Sequence, residues 1–518
     1  VAQEADGSAA VRAADASEPQ AVATGSPAAA GGNDPADDSA RRWLILSVVC
    51  LAQLMVVLDA TVVNIALPTA QRELAFSNAD RQWVVTAYSL AFGGLLLLGG
   101  RLSDLVGRKR MLIIGMTGFA AASALGGAAT GFGMLLAGRA IQGAFGAMLA
   151  PAALSTLTVT FTNPAERGKA FGVYGAIAGA GGAVGLLLGG VLTEFLSWRW
   201  CLYINVVLSL VAVSAAVRLL RNQARDPTVR LDPPGTVLVV AGLIGIVYGM
   251  SRAEIDGWRA PLTIVLLVAG VALLAAFALT ERRVSHPLLP LRIVLNRFRG
   301  GAYLAIGLSA TGMFGIFLFL TYYLQENLRY SPVRTGLAFL PMIAALVASS
   351  TTSSGVLMPR FGPRILVPTG LVVAAGGLVL LATELGPSIS YLAAILPSLL
   401  IIGAGLGLVF ACAINTATYG TAAHDAGVAS AMVNTCQQVG GSIGTALLNT
   451  IAASALASYL VTHGLSPAAQ SGAAVHSYAV AFWVSAAIFA GAAVVSGVVL
   501  PSGVLASGRG ESAAPLAG

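Results

Sequence analysis

Residues 100–110 read Gly100-Arg-Leu-Ser-Asp104-Leu-Val-Gly107-Arg108-Lys109-Arg110, and they stand between two apolar runs, 82–100 and 111–130. A helix needs about 20 apolar residues to cross a bilayer, and both runs are of that order. The stretch between them is a tight turn whose glycines allow close backbone approach and whose carboxylate can cap a helix or pair with a basic neighbour. Moving outward, the pattern of apolar run, short polar turn and apolar run repeats along the chain. Spans are expected at 43–67, 82–100, 111–130, 133–160, 169–192 and 200–220, then at 234–252, 262–280, 300–324, 334–356, 365–383, 390–418, 427–455 and 476–500.

Composition supports this reading. The 518 residues are 57% hydrophobic and only 10% charged, against roughly 25% charged in soluble domains. The mean hydropathy is +0.82, so a soluble globule is excluded and function is to be sought inside the bilayer. The formal charge of +7 would suggest nucleic acid in a soluble chain, but 20 of the 29 basic residues fall in alternate inter-span segments and flanks and only 7 in the opposite loops. Positive-inside bias accounts for that distribution without nucleic acid, and places both termini in the cytoplasm. Residues 1–42, rich in Ala, Gly, Ser and Pro and carrying seven acids, are expected to be a disordered cytoplasmic tail. Residues 501–518 form a second one. The first apolar run starts at Trp43 behind Arg41 and Arg42 and continues to Leu67, which reads as an uncleaved span. Four dispersed cysteines suggest neither a disulfide framework nor a metal site.

Several spans carry polar groups that lipid would not tolerate. Span 1 ends in Leu58-Asp59-Ala-Thr61-Val-Val-Asn64-Ile-Ala-Leu67-Pro68. A charge at the bilayer centre costs ~2.5–3.5 kcal/mol on insertion scales, so Asp59 needs a partner, a cavity or a proton. At 100° per residue Gln53, Thr61 and Asn64 share one face and Asp59 lies about 120° away, which leaves span 1 polar on two sides. Span 4 places Arg139, Gln142, Gly143 and Gly146 on one stripe. Span 5 carries Gly172, Gly181, Gly185, Gly189 and Gly190, whose spacing permits close helix packing. Span 13 has a polar stripe of Asn434, Gln438, Ser442, Thr445 and Asn449, and span 9 aligns Phe314, Phe317, Thr321 and Gln325. Either stripe can line a cavity for an apolar substrate with polar handles or simply pack.

The 100–110 stretch resembles the cytoplasmic signature of the major facilitator superfamily. Arg139-Ala-Ile-Gln142-Gly143 is similar to that family's helix 4 motif, and the Asp59 string to helix 1 of its fourteen-helix drug/proton antiporters. The span 5 glycines resemble the antiporter motif, with Leu186 standing where the family has Pro. The resemblance runs over nearly all of residues 43–500. It implies an all-α integral membrane fold with a six-helix bundle over 43–220, two inserted helices over 234–280 and a second six-helix bundle over 300–500. It further implies alternating access, proton coupling through Asp59 and Arg139, and a cytoplasmic latch built from Gly100, Asp104, Gly107, Arg108, Lys109 and Arg110. Amphipathic drugs, antibiotics or secondary metabolites are the implied cargo, exported across a bacterial cytoplasmic membrane by a protein that acts as a monomer.

No Walker loop, metal-spaced histidine set or Gly-x-Ser-x-Gly elbow is present, and Gly403-x-Gly405-x-Gly407 lies inside an apolar span rather than after a strand. No cofactor is therefore expected, and the energy source is the proton gradient. Uptake by proton symport is the rival reading within transport. A receptor or an intramembrane enzyme is the rival outside it, and would require a catalytic cluster or a soluble domain.

Overall fold

The structure, a computed structural model, describes residues 35–76, 78–221, 231–284, 287–386 and 389–502. The expected tails at 1–34 and 503–518, and the side chains of Asn64 and Leu186, lie outside the described residues. In lipid each backbone polar group must be satisfied internally, so long apolar runs become helices. Among the described residues there is no strand.

The first bundle consists of α1 (Pro35–Leu74), α2 (Asn78–Val106), α3 (Arg108–Gly127), α4 (Phe132–Thr160), α5 (Pro164–Phe195) and α6 (Trp200–Leu219). An inserted pair follows, α7 (Pro233–Asp256) and α8 (Pro261–Glu281). The second bundle consists of α9 (Arg297–Tyr322), α10 (Pro332–Thr352), α11 (Pro363–Glu384), α12 (Leu396–Ala417), α13 (Ala426–His463) and α14 (Pro467–Val499). Among the described residues thirteen helices are long and apolar enough to cross a membrane. Glycine-rich α5 is the fourteenth long helix.

Several helices outrun the apolar run that predicts them. Helix α1 begins at Pro35, inside what the sequence suggests is tail, and α2 continues to Val106. The tight turn at 100–110 therefore shrinks to one residue. Gly107, at φ +97°, links the two helices, a left-handed-side conformation that glycine adopts without a Cβ penalty. Asp104 thus sits on the last turn of α2, and Arg108, Lys109 and Arg110 on the first turn of α3.

Packing follows a two-fold plan. Inside the first bundle α4 packs on α2 and α3, and α3 on α6; inside the second, α12 packs on α10 and α11, and α9 on α13 and α14. Two seams join the bundles: α2 and α4 meet α13, and α5 meets α10 and α12. The inserted α7 and α8 pack on each other, with α7 against α2 and α13. The hydroxyl contact Thr86–Ser251 at 3.2 Å and the bond from Trp258 Nε1 to Thr450 Oγ1 at 2.9 Å fix that position.

Small residues make the seams close. A Cβ on Gly100 would meet Ala431 Cβ and Gly427 O at 2.6 Å. One on Gly172 would meet Ser350 O at 3.1 Å, and Ser350 Oγ donates to the Gly172 carbonyl at 2.7 Å.

Candidate functional site

Asp59 is fully buried, and its side chain turns into its own bundle rather than toward the seams. Its Oδ2 accepts from Arg139 Nη1 at 2.6 Å, and its Oδ1 accepts from Gln142 Nε2 at 2.6 Å and Asn205 Nδ2 at 3.0 Å. Arg139 Nη1 also donates to Gln142 Oε1 at 2.6 Å and its Nε to the Val84 carbonyl at 3.4 Å. The guanidinium lies over the Tyr88 ring, 4.3 Å from its centroid. Ser123 Oγ completes the cluster by accepting from Gln142 Nε2 at 2.5 Å. Five helices, α1, α2, α3, α4 and α6, each contribute at least one group, and Arg139 is 2% exposed.

A buried ion pair carries a desolvation cost that good geometry and further hydrogen bonds must offset, and breaking one by removing a partner costs about 3–5 kcal/mol. Here both carboxylate oxygens are hydrogen-bonded, Oδ1 twice and Oδ2 once. Arg139 has neutral alternatives in Gln142, the Val84 carbonyl and the Tyr88 face, where a desolvated cation over a ring gains about 2 kcal/mol. The cluster is therefore built so that the carboxylate can be neutralised without orphaning the cation. Sequence reading singles out Asp59 on span 1 and Arg139 and Gln142 on one stripe of span 4, and the structure brings the three into contact. Sequence reading misses Ser123, Asn205 and Tyr88, although Asn205 interrupts an apolar run and is visible on that ground.

At one end of the molecule Asp104, with its side chain 1% exposed, reaches across to the second bundle. Its Oδ1 accepts from Gly427 N at 3.0 Å and its Oδ2 from Val428 N at 3.3 Å, the free N–H groups that open α13. Gly427 is required there, because a Cβ would run into Gly100 O and Asp104 Oδ2. Arg108 lies 3.5 Å from Asp104 Oδ1. Lys109 donates instead to the Val217 carbonyl at 2.9 Å, and Arg110 is exposed. Asp425, just before α13, is held by Arg292 from the short helix Leu291–Leu295 at 2.6 Å.

A second lock at the same end is absent from the sequence reading. Arg167, near the start of α5, donates from Nε to Asn415 Oδ1 and from Nη2 to Thr418 Oγ1, both at 2.9 Å, while its guanidinium covers the Phe171 ring at 4.5 Å. In sequence it is one more positive-inside arginine; only the seam gives it partners.

The remaining expected residues separate. Gly181, Gly185 and Gly189 do not face the other bundle: Cβ atoms there would meet Val57, Thr61 and Val62 of α1. The glycines of α5 that do face the second bundle include Gly168, Gly172 and Gly175, against Ser354, Ser350 and Ala411, and Gly182, against Phe317. Gly143 takes α2 closely at Tyr88 O, and Gly190 is buried. Phe317 reaches α5, 3.6 Å from a Cβ on Gly182, and its ring lies tilted against Phe339 with centroids 5.5 Å apart. Thr321 Oγ1 is buried with no hydrogen-bond partner among the described residues. Phe314 and Gln325 are half-buried. Gln438 lies against Gly93 of α2 beside Val247 of α7, and Asn434 Nδ2 bonds its own helix at Ser430 O, 3.0 Å.

The sequence matches the family model for the Major Facilitator Superfamily over residues 49–237 and 235–445. It is 54% identical over 456 residues to the puromycin resistance protein pur8 of Streptomyces alboniger, covering 88% of this chain and 89% of that protein. It is 39% identical to the cephamycin export protein CmcT of Amycolatopsis lactamdurans, over 79% of this chain and 85% of that one. In fold it is similar to the solved structure of the proton:xylose symporter XylE bound to 6-bromo-6-deoxy-D-glucose, with a TM-score of 0.61, 14% identity, and coverage of 90% and 97%.

Proposed function

This chain belongs to the major facilitator superfamily, and from that premise we propose that it expels amphipathic antibiotics in exchange for protons, with Asp59 as the proton carrier. It is a multi-pass secondary transporter of the bacterial inner membrane rather than an enzyme. The observation that carries the coupling is the buried, hydrogen-bonded Asp59–Arg139 pair inside the first bundle. A proton on Asp59 removes the charge that holds Arg139 and lets the guanidinium settle on Tyr88 and the Val84 carbonyl, loosening the contacts among α1, α4 and α6. An ion entering down the gradient supplies about 2.3 kcal/mol per 100 mV, and no cofactor is needed.

The positive-inside count supports placing the Gly107 end, and both termini, in the cytoplasm. The Asp104 and Arg167 contacts then close the cytoplasmic side, and opening inward requires both to part. Gly100, Gly107, Arg108, Lys109 and Arg110 shape and charge that gate. Phe317, which meets α5 across the seam, and Thr321 one turn along α9 are the groups we assign to the cargo, with Phe314 and Gln325 before and after them in sequence and Asn434 and Gln438 on α13. One chain contains both bundles and both seams, which supports a monomer as the working unit. Named activities of the relatives make puromycin the first compound to test.

Inverted membrane vesicles containing the protein, energised to an acid interior, should lose their pH gradient on adding puromycin. Asp59→Asn should abolish that proton movement while leaving abundance in the membrane near normal. Substrate-driven proton movement at the native rate in Asp59→Asn would remove Asp59 from coupling. Greater puromycin accumulation in producing cells than in empty cells would replace export with uptake.

A further inference from the structure

At the Gly107 end of the first bundle a cavity of about 170 Å3 opens between the ends of α1, α3, α4 and α6. One water needs roughly 10–15 Å3 on such a measure, so the space suits a much larger polar group. Among the described residues four cations line it, Arg41, Arg108, Lys109 and Arg221, and no carboxylate does. Part of this charge has a local use. Arg41 donates from Nε and Nη2 to the Leu219 carbonyl at 2.9 and 2.6 Å, and Lys109 to the Val217 carbonyl at 2.9 Å, so both cap the end of α6. A helix C-terminus carries only about half a negative charge, however, and with Arg108 paired to Asp104 three further formal positives stand against it. Asp104, the carboxylate nearest in sequence, accepts from Gly427 and Val428 in the other bundle and pairs with Arg108.

We propose that this cavity binds the phosphate group of an anionic phospholipid. The surplus positive charge selects the phosphate, since basic pockets between membrane helices at the interface take anionic head groups. The walls favour a lipid over a free anion: Ile45, Val159, Leu219 and Leu220 line the cavity, and α6 turns Leu210, Val211 and Val217 outward at 71%, 57% and 53% exposure. The head group would enter between the cations while the acyl chains follow that apolar face of α6. This inference requires only that the chain spans the membrane, and it holds whatever the cargo or its direction.

The full chain, purified in detergent, is delipidated, mixed with equal amounts of phosphatidylglycerol and phosphatidylethanolamine, and analysed by native mass spectrometry for retained lipid. Native protein should retain phosphatidylglycerol in preference. Arg41→Gln and Arg221→Gln should each weaken that retention about fivefold, the effect of one cation at an anionic surface. Arg221 makes none of the α6 capping bonds just described, so Arg221→Gln keeps the test meaningful if Arg41→Gln fails to fold. Equal retention of the two lipids, or native retention in Arg221→Gln, would overturn the proposal. A third arm adds inorganic phosphate alone: binding of phosphate without retained phosphatidylglycerol would overturn the lipid assignment in favour of a soluble anion site.

Discussion

At Gly107, with φ +97°, the chain passes from α2 into α3; its N–H bonds to Ser103 O at 3.2 Å and its carbonyl accepts from Met111 N at 3.0 Å. At Gly362, with φ +70°, the chain passes into α11; its N–H bonds to Met358 O at 3.0 Å and its carbonyl accepts from Leu366 N at 3.4 Å. The same geometry recurs in the partner helices. A Cβ on Gly427 of α13 would strike Gly100 O, and a Cβ on Gly168 of α5 would strike Ser354 O. The two seams are copies of one backbone plan, yet Asp104, three residues before Gly107, is matched by Pro359 three residues before Gly362.

The second seam recovers its lock from the other side. Where Asp104 on α2 accepts from the opening N–H groups of α13, Arg167 on the arriving α5 donates to Asn415 and Thr418 at the end of α12. A carboxylate thus meets the positive end of one helix and a guanidinium the negative end of another, each the favourable sign. The difference has a chemical consequence. A carboxylate can lose its charge to a proton and a guanidinium cannot, so protonation can release the α2–α13 seam but not the α5–α12 seam. The bundles differ in the same sense. Between its two ends the first bundle buries the Asp59–Arg139 pair, while the buried polar groups of the second, among the described residues, are neutral Ser, Thr and Asn apart from Asp425 just before α13.

The largest effect is expected at Asp104. Two hydrogen bonds to a charged group are worth about 1.5–3 kcal/mol each, so Asp104→Ala should shift the closed–open balance about 100-fold or more. A cysteine placed at Phe314 should then label far faster with a maleimide supplied from the Gly107 side. Acid on that side should speed labelling in the native chain and leave Asp104→Asn unaffected. Native labelling in Asp104→Ala with lost transport would make the residue a folding element and end the claim of a switchable seam. Arg167→Ala comes next, with a shift of about tenfold for its partly exposed contacts. Arg167→Lys should fall between, because it keeps the charge and loses the two-pronged geometry. Acid should change neither variant's second seam, and a pH-dependent difference between Arg167→Lys and the native chain would break the contrast.

The smallest effect is expected far from both seams, inside the first bundle at the opposite end. Glu73 accepts from Trp198 Nε1 at 2.6 Å and pairs with Arg199 at 2.7 Å, and these contacts hold its carboxyl below the ordinary 4.5, the Trp198 bond first. A lowered acid contributes stability that is fully present above 4.5 and lost as pH falls through the depressed value. Glu73→Gln should therefore lower the melting temperature slightly near neutral pH, by the equivalent of at most ~1 kcal/mol for so exposed a pair, and the difference should vanish in strong acid. A larger loss would mean that the opposite end depends on ion pairs as much as the seams do.

The sequence by itself determined that this chain is a many-span helical membrane protein, because lipid leaves a long apolar run no other way to satisfy its backbone. It also determined that the chain turns within 100–110, which the structure narrows to Gly107, and the identity of Asp59 and Arg139 as groups that cannot face lipid. Helix ends were less legible: α1 and α2 run past their apolar cores, since a helix stops where a cap or a glycine such as Gly107 stops it, not where hydropathy falls. Only tertiary structure decided which way each polar face turns. Asp59 meets Arg139, Gln142 and Asn205 across 80, 83 and 146 residues of chain, and Arg167 meets Asn415 across 248. Glycine spacing in α5 predicted close packing but not the neighbour, which is α1 for Gly185 and α10 for Gly172. Periodicity fixes the angle of a side chain about its own axis. What lies opposite that angle is set by how the helices assemble, and two-fold packing of the bundles brought a carboxylate to one helix end and an arginine to another.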